Sequence, residues 1–196
     1  MKELYIVRHG ETLWNIEKRF QGCSNSELSE LGKNQAKHMH NFFISYNFDY
    51  IISSPLKRAM DTAKIIKPFS VVNADDNIKE INLGNLEGKT YFDLDQSNSQ
   101  IMNFWENPDK YIPDGGETFK EFEERISYFL NNVLSGYGDG KFLIISHGVA
   151  IRMMLKVIMK YDIKDIWNTP KIENTSVTKV LCDKNSFSIE YTGKTV

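Results

Sequence analysis

Leu4-Tyr5-Ile6-Val7-Arg8-His9-Gly10 is a short apolar run that stops abruptly at two basic residues and a glycine. The run is too short for a helix and rich in residues that favour β-structure, so it predicts a buried strand. Two further runs have the same form: Tyr50-Ile51-Ile52 precedes Ser53-Ser54-Pro55, and Phe142-Leu143-Ile144-Ile145 precedes Ser146-His147-Gly148. Each predicted strand therefore ends in polar residues.

Helical patterns separate these strands. Ser29 is the predicted N-cap of the first helix. Ser54-Pro55 predicts the start of a second helix, which is expected to end before Pro68. Thr118 with Glu121 predicts a capping box at the start of a third. The third of these helices is expected to end near Gly136, and a fourth runs from Val149 to Ile158. The apolar stripe of the first helix is predicted to comprise Leu31, Ala36, Met39, Phe42, Phe43 and Tyr46.

The remaining segments complete an alternating pattern. Val71-Val72 predicts a third strand, and residues 176–181 and 187–191 predict two last strands around an Asp-Lys-Asn turn. Residues 75 to about 117 show weak periodicity and are expected to form an insertion that covers the sheet. The fold class is therefore α/β: a mostly parallel central sheet with helices on both faces, within a single domain over residues 1–196.

Composition excludes several classes of protein. The chain has 196 residues, a net charge of −2 and 41% hydrophobic residues, which suits a globular domain and gives no basic surplus for nucleic acid. No apolar run is long enough to span a bilayer and no signal peptide is evident, so we expect no membrane association and a cytoplasmic location. Two distant cysteines argue against a disulfide scaffold or a cysteine zinc site. The oligomeric state stays open.

Basic residues follow the predicted strands at one edge of the sheet. In open α/β sheets, ligands bind at the carboxyl ends of the strands, where Arg8, His9, Arg58 and His147 are expected to converge. A single histidine after a strand is more often structural, and a single arginine at a helix start is more often a surface charge. Together they favour a phosphate site, because arginine is a fork donor matched to phosphate.

The same residues resemble the signature of a known family. Residues 4–12 with Trp14-Asn15 are similar to the first motif of the histidine phosphatases, the superfamily of cofactor-dependent phosphoglycerate mutases. Four further stretches match that pattern in order: Phe20-Gln21-Gly22, Ser53–Ala59, Glu80 to Gly88, and Gly115–Thr118, before Ser146-His147-Gly148 closes it. The match covers nearly the whole chain and implies a phosphoglycerate mutase-like fold.

The resemblance also implies a role for each matched residue. His9 would be the nucleophile that carries the phosphoryl group, and Glu80 the general acid that protonates the leaving oxygen. Arg8, Arg58 and His147 would surround the phosphoryl oxygens. Weaker phosphate contacts are implied for Asn15, Gln21, Gly22 and the Gly148 backbone, and Glu87 matches a structural position. No metal and no cofactor are expected in this chemistry.

Two outcomes share such a site: hydrolysis and mutase transfer. Residues 75–117 hold ten acidic and three basic residues, a net −7, and an acidic cover is expected to disfavour multiply charged substrates. We therefore predict a metal-independent phosphatase for small phosphomonoesters such as α-ribazole 5′-phosphate, a sugar phosphate or a broad set. Five aromatic residues of the cover could contact the substrate: Tyr91, Phe92, Phe104, Trp105 and Tyr111.

Two alternatives remain open at this stage. The first is a cofactor-dependent phosphoglycerate mutase, and the second is a phosphate-binding protein without turnover. The loop before the first long helix departs from the family pattern, because Asn25 and Glu27 stand where an aspartate and a proline are common. Since this loop is expected to border the pocket, it bears on substrate preference.

Overall fold

A six-stranded sheet organises the molecule. The computed structural model describes residues 1–94, 99–184 and 186–196. The strands are β1 (Lys2–Arg8), β2 (Tyr50–Ser53), β3 (Asn73–Ala74), β4 (Gly140–Ser146), β5 (Val177–Asp183) and β6 (Ser186–Lys194). Their order is β3-β2-β4-β1-β5-β6. The first four strands are parallel to one another, β5 is antiparallel to β1, and β6 is antiparallel to β5. The predicted mostly parallel sheet is confirmed.

Helices cover both faces of this sheet. They are α1 (Leu13–Ile16), α2 (Glu30–Phe42), α3 (Lys57–Ile66), α4 (Ser99–Glu106), α5 (Phe119–Tyr128) and α6 (Gly148–Met159). Because side chains alternate along a strand, β1 sends Leu4 and Ile6 into the core beneath α5 and α6, and Tyr5 and Val7 into the core beneath α2 and α3. The two apolar layers fix β1 and β4 at the centre, which places their carboxyl ends side by side.

The predicted start of α3 at Ser54-Pro55 is wrong. The helix begins at Lys57, and its N-cap residue, Leu56, makes no side-chain cap hydrogen bond. The Ser54 hydroxyl accepts from Leu56 N–H at 3.3 Å, before the helix begins, and also lies 2.8 Å from His147 Nε2, so it makes both a local and a tertiary contact. Ser29, in contrast, caps α2 as predicted, through Gly32 N–H.

Two apolar assignments are also wrong. Val71 is 82% exposed, and the third strand lies two residues later, because only Asn73 and Ala74 pair with β2. Leu31 is 55% exposed and does not belong to the buried stripe of α2, since it lies in the first turn, off the face that holds Ala36 and Met39.

The segment from 75 to 117 contains little regular structure. Its described part consists of α4 and four 3₁₀ turns: Asp76–Ile78, Gly84–Leu86, Tyr91–Asp93 and Pro108–Lys110. The predicted long helix from Thr118 to Gly136 is continuous but changes form, from α5 to a π-helical turn at Phe129–Val133 and a 3₁₀ turn at Leu134–Gly136. Asp95 in the predicted insertion and Asn185 in the predicted turn lie outside the described residues.

Within the described ranges, no helix is long and apolar enough to cross a bilayer.

Candidate active site

A pocket at the carboxyl edge of the sheet brings most of the predicted residues together. Its volume is about 250 Å³. Seven of the nine predicted site residues line it, all except His147 and Gly148: Arg8, His9, Asn15, Gln21, Gly22, Arg58 and Glu80. His147 still adjoins the site, because its ring centroid lies 5.1 Å from that of His9.

Six of these seven residues have side chains in the wall, and Gly22 contributes its backbone.

The two histidines follow the two central strands directly. Because β1 and β4 are parallel neighbours in register, with Arg8 opposite Ser146, the residues that follow them meet at the same edge. The His9 N–H donates to the Ser146 carbonyl at 3.0 Å, which ties the two strand ends together. Burial, with the positive charges of Arg58 and Arg8, holds the pKa of His9 well below its usual range. The ring is therefore neutral at pH 7.

His147 is held as a neutral ring of defined tautomer. Burial, with the charges of Arg58 and of His9, holds its pKa well below the usual range. The Ser54 hydroxyl accepts from Leu56 N–H at 3.3 Å, and its own proton has no other acceptor among the described residues, so it donates to His147 Nε2. The proton of the ring then sits on Nδ1, a buried donor with no partner in the described part of the chain.

Arg58, which is buried, and Arg8, which is partly buried, supply positive charge next to His9. Arg58 is 1% exposed, and its Nη1 and Nη2 donate to the carbonyls of Ser24 and Gly22 at 2.7 and 2.6 Å. Arg8 Nη1 donates to the Ile172 carbonyl at 2.7 Å. These bonds fix both guanidinium planes, while the Nε atoms of both arginines are buried without a partner among the described residues. Such donors suit the oxygens of a phosphate.

Burial lowers the pKa of both guanidinium groups, to about 10 for Arg58. Both arginines therefore stay charged at pH 7. The site holds two cations and two neutral imidazoles beside one carboxyl group, an arrangement that favours an anionic ligand.

Glu80 comes from the irregular segment before α4 and reaches the start of α6. Its carboxylate oxygens accept from the N–H groups of Val149 at 3.1 Å, Ala150 at 2.9 Å and Ile81 at 3.1 Å. Burial raises the pKa of this carboxyl group, while the Val149 N–H and the charge of Arg58 act in the opposite direction. A buried carboxyl of raised pKa beside a cationic pocket has the properties of a general acid.

Asn15 and Gln21 have their amide oxygens turned towards Thr12. The Thr12 Oγ1 atom lies 3.1 Å from Asn15 Oδ1 and 3.0 Å from Gln21 Oε1. Their NH₂ groups make no hydrogen bond within the described residues, which leaves them free to donate into the pocket. Gly148 is the first residue of α6, where backbone N–H groups have no partner within the helix.

Several residues that line the pocket were not among the predicted site residues. They are Arg19, Phe20, Ile81, Leu83 and Val149. Of the five aromatic candidates, Phe104 and Trp105 line the pocket, Tyr111 lines two other cavities, and Tyr91 and Phe92 line none of the pockets described. The signal for Arg19 is its place directly before Phe20-Gln21-Gly22, which the structure puts in the same wall.

The described acidic residues of the segment from 75 to 117 do not surround the pocket, contrary to the expectation from the sequence. Of the ten acidic residues between 75 and 117, Glu80 alone lines the described pocket, and Asp95 is outside the described residues. Arg19 adds a third arginine to the wall, 37% exposed and paired with Glu17 at the surface. The net −7 of the segment is thus not the local charge around a substrate.

Cys23 lies beside the site as a free thiol. Its Sγ donates to the Glu80 carbonyl at 3.3 Å, and burial raises its pKa to about 11. This thiol stays protonated at pH 7 and is therefore a weak nucleophile. Within residues 1–94, 99–184 and 186–196, no group of three or more His, Cys, Asp or Glu side chains is arranged to hold a metal ion.

Comparison with known proteins gives consistent matches. The family described as the histidine phosphatase superfamily (branch 1) matches residues 4–195. The Bacillus subtilis protein named uncharacterized phosphatase PhoE is 31% identical over 97% of this chain and 91% of its own length. The Yersinia pestis protein named probable phosphoglycerate mutase GpmB is 35% identical over 81% of this chain and 75% of its own.

A solved structure extends the comparison to three dimensions. Phosphoserine phosphatase from Entamoeba histolytica, in complex with 3-phosphoglyceric acid, superposes with a TM-score of 0.89 and 26% identity, over 100% of this chain and 98% of that one. The phosphoglycerate mutase-like fold expected from the sequence is therefore confirmed.

Proposed function

This chain belongs to the histidine phosphatase superfamily, and we propose that it hydrolyses small phosphomonoesters through a phosphohistidine intermediate on His9. One observation carries the proposal: a neutral buried histidine, the buried Arg58, the partly buried Arg8 and a carboxyl group of raised pKa share one pocket. The unpartnered donors Arg8 Nε, Arg58 Nε and His147 Nδ1 support phosphate as the ligand. The relative named as a phosphatase supports hydrolysis.

In the first step, His9 Nε2 attacks phosphorus. The P–N bond forms, the P–O bond to the leaving group breaks, and the leaving oxygen takes a proton from Glu80. Arg8 and Arg58 hold the phosphoryl oxygens and stabilise the charge that they carry in the transition state. The His147 Nδ1–H donates to the same group.

In the second step, water replaces the leaving group. The Glu80 carboxylate takes a proton from this water as its oxygen attacks phosphorus, the P–N bond breaks, and orthophosphate and neutral His9 are released. Asn15, Gln21, Gly22 and the Gly148 N–H bind the phosphate at its edges. We propose no metal and no cofactor for either step, since the charge is supplied by arginine and the proton by Glu80.

The remainder of the substrate would contact Phe20, Leu83, Phe104 and Trp105. This apolar wall suits an uncharged or aromatic group, as in α-ribazole 5′-phosphate, while Arg19 offers a cation to a small anionic group, as in phosphoserine. We therefore propose a broad set of small phosphomonoesters as substrates, and a single domain that carries the whole reaction.

The proposal is tested with p-nitrophenyl phosphate and a panel of metabolite phosphomonoesters, with and without a chelator. We expect turnover that the chelator leaves unchanged and that His9→Ala abolishes. Turnover lost with the chelator would refute the metal-independent mechanism, and an active His9→Ala protein would refute the nucleophile. No turnover of any phosphomonoester would favour phosphate binding without catalysis.

A phosphoglycerate mutase is the second candidate. The GpmB relative and the presence of Arg19 in the wall favour it, because a mutase must bind the carboxylate of its substrate. Interconversion of 2- and 3-phosphoglycerate with added bisphosphoglycerate, at a rate above phosphate release, would establish this activity in place of hydrolysis.

A further inference from the structure

Arg125 on α5 binds the backbone of the segment that carries Glu80. Its Nη1 donates to the carbonyls of Asn77 at 2.7 Å and Lys79 at 2.8 Å, and its Nη2 donates to the carbonyl of Glu80 itself at 2.9 Å. Three carbonyl groups within four residues thus converge on one guanidinium group. The segment has no strand or α-helix of its own to fix it, so these bonds set its path.

Glu117 completes the arrangement from the other side. Arg125 donates to Glu117 through Nε at 2.9 Å and Nη2 at 2.5 Å, and Glu117 Oε1 also accepts from the Asn82 N–H at 2.8 Å. The Asn82 carbonyl in turn accepts from the Glu117 N–H at 2.9 Å. The Arg125–Glu117 pair therefore binds the backbone both before and after Glu80, and both side chains are less than one-fifth exposed.

Arg125 has no donor left for a ligand. A guanidinium group carries five N–H donors, and the five bonds to Asn77, Lys79, Glu80 and Glu117 use all of them. Arg125 is also absent from the wall of the active-site pocket. Arg125 therefore binds the backbone of this segment and Glu117, and it does not bind substrate.

The main chain of Glu80 and its carboxyl group are held by different helices, and the carboxyl group is held by α6. Its oxygens accept from Val149 and Ala150, while its main chain is held by α5 through Arg125. A shift of the main chain by about 1 Å would move the carboxyl group away from the leaving oxygen, and misplacement of that size costs about 100-fold in rate. Both ends are needed to fix the position.

We propose that the Arg125–Glu117 pair positions the general acid, Glu80, and that this position determines how well the enzyme protonates poor leaving groups. The inference rests on the proposed hydrolysis and on Glu80 as its acid. Neither Arg125 nor Glu117 touches the reacting atoms, so both are positioning residues. Their loss affects proton transfer and leaves phosphate binding intact.

The leaving group separates this role from general stability. p-Nitrophenolate leaves without much help from an acid, whereas the serine alkoxide of phosphoserine needs a proton as it leaves. A misplaced Glu80 therefore slows phosphoserine hydrolysis more than p-nitrophenyl phosphate hydrolysis. A smaller folded fraction lowers both rates by the same factor.

The experiment compares kcat and KM on both substrates for wild type, Arg125→Met, Arg125→Lys, Glu117→Gln and Glu80→Gln. We expect the phosphoserine to p-nitrophenyl phosphate ratio of kcat/KM to fall at least tenfold in Arg125→Met, in the same direction as in Glu80→Gln, because kcat/KM reports the transfer to His9 and not the shared hydrolysis of phosphohistidine. Arg125→Lys should recover little, because one ammonium group cannot reach three carbonyls and a carboxylate.

Lys156→Met is the matched control. Lys156 on α6 pairs with Glu123 on α5, is 14% exposed, and takes no part in the hydrogen bonds described above for the Glu80 segment.

 Removing this buried ion pair perturbs the same two helices and should leave the substrate ratio unchanged. A change of the ratio in this control would show that any disturbance of α5 and α6 suffices, and would overturn the proposal.

Other outcomes are equally decisive. If wild type turns over both substrates and Glu80→Gln lowers the ratio, but Arg125→Met and Glu117→Gln lower both rates equally, the positioning role is wrong while the proposed function stands. If wild type turns over neither substrate, the proposed function fails first. Should Arg125→Met not fold, Glu117→Gln alone decides, since it removes a charge from the same pair and keeps the shape of the side chain.

Discussion

The Nδ1 atom of His9 lies 2.7 Å from the carbonyl oxygen of Gly10. A carbonyl oxygen only accepts hydrogen bonds, so the neutral ring must carry its proton on Nδ1. The lone pair of Nε2 is then the one available to attack phosphorus. This short contact, made by the residue next in the chain, decides which nitrogen is the nucleophile.

We therefore predict that the phosphoryl group is carried on Nε2 of His9 and on no other nitrogen. Alkali quenching during turnover of p-nitrophenyl phosphate, which preserves the P–N bond, followed by ³¹P NMR of the alkali-denatured protein and mass spectrometry of the His9 peptide, identifies the site. His9→Gln should give no phosphoprotein under the same conditions. Phosphate found on Nδ1, or on His147, would contradict the assigned tautomer.

Gly22 is required by both its conformation and its neighbours. Its φ is +48°, and a Cβ at this position would lie 2.1 Å from Glu87 Oε1, a carboxylate that accepts from the Cys23 and Leu83 N–H groups. Its carbonyl accepts from Arg58. Gly22→Ala should therefore lower the free energy of unfolding by about 1–3 kcal/mol and raise KM for phosphomonoesters.

Gly136→Ala is the control for that substitution. A Cβ at Gly136 has nothing within 4 Å and no positive φ to strain it, so stability and KM should stay near wild type. Denaturant unfolding and steady-state kinetics measure both effects. If Gly22→Ala were as stable and as active as Gly136→Ala, the loop would not be held as described.

Much of this site follows from the order of strands and motifs alone. Arg8 ends β1, His9 and His147 come directly after β1 and β4, and two adjacent parallel strands must bring their carboxyl ends together. The fold class and the convergence of these residues could therefore be predicted from short apolar runs. The predicted helix start at Ser54-Pro55 failed because Pro55 and Leu56 form a bend before the helix, and the Ser54 hydroxyl also contacts His147, a residue 93 positions away.

Other parts of the site depend on packing that no local pattern encodes. Glu80 reaches Ala150 from an irregular segment, and the bonds that hold this segment come from Arg125. Neither contact corresponds to a periodic pattern in the sequence. The charge of residues 75–117 was predictable, but its position relative to the pocket was not, since composition gives no direction to a side chain.

The neutral histidines give stability a pH dependence. Burial, with the charges of Arg58 and of neighbouring groups, holds the pKa values of His9 and His147 well below the ordinary value of about 6.5. Below that value, each histidine binds a proton in the unfolded state but not in the folded state. The free energy of unfolding should therefore fall as pH decreases below about 6.5, by up to about 1.4 kcal/mol per pH unit for each histidine.

Glu80 acts with the opposite sign, because burial raises its folded pKa and favours the folded state at low pH. The measurement is therefore made as a difference. The stability of wild type minus that of His147→Asn, from urea unfolding between pH 5 and pH 8, should decrease towards low pH, since Glu80 is common to both proteins. A difference that is constant with pH would mean that His147 is not held neutral.

Trp105 and Phe92 offer a test of how the pocket receives the rest of the substrate. Trp105 lines the pocket and is 45% exposed, whereas Phe92 is 88% exposed and lies outside it. Trp105→Ala should raise KM for p-nitrophenyl phosphate roughly three- to tenfold, because a contact between aromatic rings is lost, and should affect phosphoserine less. Phe92→Ala should change neither. Because Trp105 also packs against Phe104 and Trp167, thermal unfolding of both variants shows whether the folded fraction is retained. An equal rise of KM for both substrates would mean that Trp105 shapes the phosphate site and does not contact the leaving group.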